Sequence, residues 1–261
     1  MQLQTKKRHV KQFGWVPDLP DQRDLMYSAP TRLLRKLPSS KDMRNACPPV
    51  YDQGALGSCT ANAIGAAYEF ELRRKANKMR PFTPSRLFIY YNERVIEGTV
   101  NTDAGAMIRD GMKTVNKDGV CPERMWPYDI RKFVKLPPDP CYIEAQKHQV
   151  LSYHRVRRDI KQMKSCLADG FPFVFGFTVY ESFESDEVAE TGRLNMPDPS
   201  EKEVGGHAVL AVGYNDASKR FWVRNSWGKG WGKAGYYTMP YDYLLNENLS
   251  DDFWTIRIVE G

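Results

Sequence analysis

Two hydrophobic periods divide the chain. Ser58 to Lys78 carries strong helix formers after its first turn, and Ser85–Glu97 and Ala106–Lys117 repeat apolar residues at helical spacing, with Gly119 closing the last. Asp159–Ala168 reads as a shorter helix closed by Gly170. The character then changes. Phe173–Tyr180, His207–Tyr214, Phe221–Asn225, Gly235–Met239 and Phe253–Val259 are short runs rich in Val, Phe and Tyr, which read as strands. Pro122–Pro140 is a proline-rich loop. Helices first and strands second predict an α+β fold of two lobes, with a cleft between them as the expected site. The longest apolar run, Phe171–Tyr180, is too short to span a bilayer.

Charge adds a boundary. Residues 1–46 hold ten Lys or Arg and four acids, whereas the remainder is balanced at 28 of each, so the whole excess of +6 lies near the N-terminus. The body therefore carries no nucleic-acid signature, and only the leader offers a polyanion surface. Gly14–Asp24, with prolines at 17 and 20, predicts an extended segment docked on the body. The expected organisation is a basic leader over 1–36 and a single domain over 37–261. The first residues lack an apolar secretory core, which predicts an intracellular or particle-packaged protein with reduced cysteines and no membrane partner.

The chemistry narrows to one constellation. Of four histidines, His9 lies in the leader, and His148 and His154 lie in polar, charge-rich sequence. His207 follows Gly205-Gly206 and opens an apolar strand. Five cysteines (47, 59, 121, 141, 166) are an odd number with no CxxC, which argues against a zinc ribbon or dithiol motif. Cys59 follows the Gly-rich turn Gln53-Gly54-Ala55-Leu56-Gly57-Ser58 and sits where a helix begins. Helix dipole and a neighbouring imidazolium would both lower its pKa. A thiol, a base and an orienting amide in Asn225-Ser226-Trp227-Gly228 are the parts of a nucleophilic site.

These three motifs, in this order, resemble the papain-like cysteine peptidases over roughly Leu37–Gly261. His207 lies 148 residues after Cys59, within the family's span of about 130–150. The resemblance implies Cys59 as nucleophile, His207 as base, Asn225 orienting His207, and Gln53 donating to an oxyanion hole. It also implies Trp227 shielding the Asn–His bond, and Gly105, Gly206, Ala208 and Trp227 lining the substrate cleft. The implied C-terminal lobe is β-barrel-like, and no metal or organic cofactor is required. Leu56 stands where the family usually has a cysteine, Thr60 where it has an aromatic, and Gly206 where it often has a larger residue. No essential disulfide is therefore expected. Ala208 as a pocket floor predicts Leu, Val or aromatic side chains there over acids.

The leader does not resemble the family's long helical pro-regions. Its Trp15-Val16-Pro17 core suits an apolar cleft, and residues 1–36 are expected to fold back and lower activity, with Glu181, Glu184, Asp186, Glu187 and Glu190 as a landing surface. The expected activity is endopeptidase cleavage of peptides or proteins. An acyl transferase with the same residues, or a binding protein with a silent site, would carry much of the same sequence.

Overall fold

The structure, a computed structural model, describes residues 13–75 and 80–259. His9 and the basic residues 6, 7, 8 and 11 of the leader lie outside it, as does the end of the helix expected to reach Lys78.

The helical layer holds α2 (Cys59–Arg74), α3 (Arg86–Glu97) and α4 (Ile108–Lys117). Ser85 caps α3, its hydroxyl accepting from Phe88 N at 3.1 Å, and Gly98 ends it in the left-handed region at φ 71°. The helix expected from Ala106 begins at Ile108, because Ala106–Met107 is drawn into a strand, β3. The second layer is a seven-stranded antiparallel sheet. It comprises β2 (Ser40–Asp42), β4 (Val150–Arg155), β5 (Phe173–Tyr180), β6 (Glu203–Asn215), β7 (Arg220–Arg224), β8 (Tyr236–Pro240) and β9 (Ser250–Val259). The order is β4-β9-β5-β6-β7-β8, with β2 on β6, so the expected barrel-like lobe is an open sheet rather than a closed barrel. Short helices α5 (Asp139–Ala145), α6 (Ile160–Ala168), α7 (Asp186–Thr191) and α8 (Tyr241–Leu245) fill the connections.

Helix α2 packs on β6 and β9, and every residue from Cys59 to Leu72 is buried. Small side chains such as Ala63 and Ala66, beside Ala208 and Leu210, allow that approach. The helix that begins at Cys59 and the strand that carries His207 are thereby brought face to face.

The leader is woven into both layers. β1 (Trp15–Val16) pairs in parallel with β3, Trp15 opposite Ala106. Tyr27 N donates to Arg155 O and Arg155 N to Leu25 O, both at 2.8 Å. Tyr27 and Ala29 are buried in the core beside β5 and α6. The short helix α1 (Thr31–Arg35) rests on α6. Buried residues lie on both sides of residue 36, Ala29 before it and Met43 after it, while α1 between them has none.

Candidate active site

Gly54 gives the turn before α2 its shape: at φ +63°, it donates its N–H to Asp52 Oδ1 at 2.8 Å. The turn presents Gln53 inward. Its Oε1 accepts from Ser226 Oγ at 2.6 Å, its N donates to Ser226 O at 2.8 Å, and its carbonyl accepts from Tyr128 OH at 2.9 Å. Gln53 Nε2 donates to Leu56 O at 2.9 Å. Tyr128, in the proline-rich loop, was not singled out from sequence because its partners come from distant segments. It also shares a 2.5 Å hydrogen bond with Ser58 Oγ.

His207 Nε2 donates to Asn225 Oδ1 at 2.9 Å, and the same oxygen accepts from Ser226 N at 2.8 Å. Those two donors fix the amide's orientation and leave His207 Nδ1 as the free nitrogen, without a hydrogen-bond partner among the described residues. The Trp227 ring lies 5.2 Å from the imidazole at 30°, and Phe177 and Phe183 approach at 5.8 and 6.1 Å. The pair sits in a dry aromatic shell.

Cys59 is the first residue of α2, as expected, and is fully buried. The backbone N–H groups of Ala208, Gly14 and Thr60 act to lower its pKa. Burial outweighs them and pushes the thiol up to about 12. Burial likewise pushes His207 down to about 4, against the Asn225 hydrogen bond. The expected lowering of the thiol by dipole and imidazolium is therefore reversed: in this state both groups are neutral.

The leader supplies that burial. Phe13 stands edge-on to His207 at 6.0 Å and lies 6.4 Å from Trp227. Gly14 O accepts from Ala106 N at 2.8 Å. A side chain on Gly105 would overlap Gly14 O, and one on Gly206 would overlap Trp15 O, so both expected cleft glycines are contact points for the leader backbone. Gly176 meets the Trp15 ring in the same way. Ala208 is buried and contributes its N–H to Cys59, while the Trp15 indole N–H reaches Asp252 Oδ2 at 3.1 Å. Asp252 was not singled out from sequence.

Beyond Trp15, the leader's acids make its more buried anchors, and Arg32 adds an exposed pair with Asp169 at 2.9 Å. Asp24 pairs with Arg109 at 2.6 Å and with Arg155 at 3.2 Å. Asp18 accepts from Arg109 N at 3.0 Å and Trp254 Nε1 at 2.9 Å, and donates its own N–H to Asp252 at 2.8 Å. Burial raises the pKa of both Asp18 and Asp252. Among the described residues no helix is long and apolar enough to cross a membrane, and no cluster of His, Cys, Asp and Glu could hold a metal.

Residues 37–249 match the family model described as papain family cysteine protease. An uncharacterized peptidase C1-like protein, L477, of Acanthamoeba polyphaga mimivirus is 44% identical over 95% of this chain and 88% of its own. The crystal structure of xylellain, a cysteine protease from Xylella fastidiosa, aligns with TM-score 0.87 at 48% identity, covering 97% of this chain and 98% of that one. Procathepsin B S9 of Trypanosoma congolense shares the fold at 18% identity, with TM-score 0.72 over 87% of this chain and 80% of that one.

Proposed function

This chain belongs to the papain family of cysteine proteases, and on that premise we propose that it is an endopeptidase using Cys59, His207, Asn225 and Gln53, held closed by the tip of its own leader. One observation supports the reading: α2, which begins at Cys59, packs on the strand carrying His207, whose ring bonds Asn225, while Ser226 braces Gln53 in the turn before Cys59.

With the tip withdrawn, His207 Nδ1 takes the thiol proton, and Asn225 steadies the resulting imidazolium through Nε2. The thiolate attacks the peptide carbonyl. The Cys59 N–H and Gln53 Nε2 stabilise the oxyanion, an interaction worth about 10²–10³ in kcat per donor. His207 then protonates the leaving amine, and water hydrolyses the thioester.

The leader is a poor substrate in this pose. Its Gly14 carbonyl accepts from Ala106 N at 2.8 Å, its donor among the described residues, and Gln53 Nε2 donates to Leu56 O instead. The inhibitory part is the tip through Val16, since Tyr27 and Ala29 belong to the core.

The groove filled by Trp15 favours side chains with an apolar body. The Asp252 carboxylate adds a preference for a donor at the end, as in Trp, Lys or Arg, and disfavours acids. Turnover of a fluorogenic peptide library by the full chain and by the chain without residues 1–16 tests the reading. Hydrolysis that rises on removing the tip supports it; acyl transfer to added amine in place of hydrolysis contradicts it.

A further inference from the structure

Outside the site, two of the remaining cysteines share one small buried cluster. Cys121 and Cys141 lie in it with Phe88 and Ala145, and each thiol acts on the other's ionisation. Cys47 and Cys166 lie in other parts of the core. Cys121 sits on the turn after α4, its carbonyl accepting from Ser85 N at 2.8 Å. Cys141 lies in the first turn of α5.

We propose that Cys121 and Cys141 are a reversible dithiol–disulfide pair, reduced in this structure and closed by a small disulfide such as glutathione disulfide. One protein thiolate attacks a sulfur of the reagent, breaking its S–S bond and expelling one glutathione thiolate. The second protein thiolate attacks the resulting mixed disulfide and expels the other. Two protein thiols lose two protons and two electrons, and the reagent is reduced to two thiols.

Burial raises both thiols, so the reaction proceeds through local opening. Helix α5 suits that step: it has seven residues, and its Ile143 is 67% exposed. The bond would close the loop from 121 to 141, which carries Tyr128 to Gln53 and Ser58. Its effect is to tether one wall of the site without touching a reacting group.

The full chain is incubated with glutathione disulfide in mild urea, returned to buffer, alkylated and mapped by mass spectrometry. A Cys121–Cys141 cross-linked peptide is expected, reversed by dithiothreitol. A loop of this length should raise Tm by about 6–12 °C. Cys141→Ser, and independently Cys121→Ala, should abolish both the cross-link and the shift. Cys59 adducts are read on their own peptide. Unmodified thiols, glutathione adducts without a cross-link, or a cross-link that lowers Tm would each overturn the proposal.

Discussion

The indole N–H of Trp15 lies 3.1 Å from the Asp252 carboxylate, joining the leader's tip to the last strand of the sheet. Gly176 and Gly206 leave room for this ring, since a side chain on either would overlap it or its backbone. Losing the bond and the ring contact by Trp15→Ala removes about 2–3 kcal/mol of hold on the closed state. Peptide turnover by the full chain should then rise by about 30–150-fold. Unchanged turnover would separate the tip from control of activity.

The leader has two parts with opposite responses to truncation. Removing residues 1–16 takes away Phe13, Gly14 and Trp15 and should raise kcat/KM while lowering Tm by about 4–12 °C, which reflects the lost hold of about 2–3 kcal/mol. Removing 1–36 also deletes Tyr27 and Ala29 from the core and the Asp24 pairs with Arg109 and Arg155. Losses of this kind cost about 2–5 kcal/mol each, so that chain should unfold well below the parent's Tm. Equal stability of the two truncations, read by thermal denaturation, would contradict this division.

The closed site also predicts how Cys59 reacts with pH. A thiol raised to about 12 is ionised to only about one part in 10⁵ at pH 7. Alkylation by iodoacetamide in the full chain should therefore climb about tenfold per pH unit through neutrality. Without residues 1–16 the desolvation is relieved and His207 can hold the proton, so the rate should be high and nearly flat around pH 7. Matching profiles would show that the tip does not set the thiol's ionisation.

Asp252 gives a specificity test in the chain lacking residues 1–16. There, Asp252→Leu should shift a peptide library from Trp, Lys and Arg toward Leu and Val at the position that fills this groove, by roughly tenfold, the worth of one hydrogen bond to a charged group. A preference for acids in the parent would refute both the carboxylate's role and the groove assignment.

Much of this was legible in the sequence because it is local. The Ser85 cap, the Ala-rich face of α2 and the Val/Phe runs of β5 and β6 each declare their element within a few residues. Cys59, His207 and Asn225 could be paired across the chain only through motif order; the structure shows the His207–Asn225 bond and packs α2 on the strand that carries His207. The thiol's ionisation was read with the wrong sign, since the dipole is a local feature and desolvation by Phe13-Gly14-Trp15 is not. The same holds for Asp252 and Tyr128, whose roles come from partners 237 and 75 residues away. The leader's basic excess drew attention from Asp18 and Asp24, the residues that anchor its described part. β4 was missed because its polar alternation, Ser152-Tyr153-His154-Arg155, reads as surface until β9 pairs with it.

The central claim is that Cys59 is the nucleophile of a peptidase closed by its own tip. A peptidyl epoxide, incubated at neutral pH with the chain lacking residues 1–16, tests it most directly. Mass mapping should find one adduct, on Cys59, forming at least tenfold faster than in the full chain and lost in His207→Ala. An adduct on another cysteine, or equal labelling of Cys59 with and without the tip, would contradict the account.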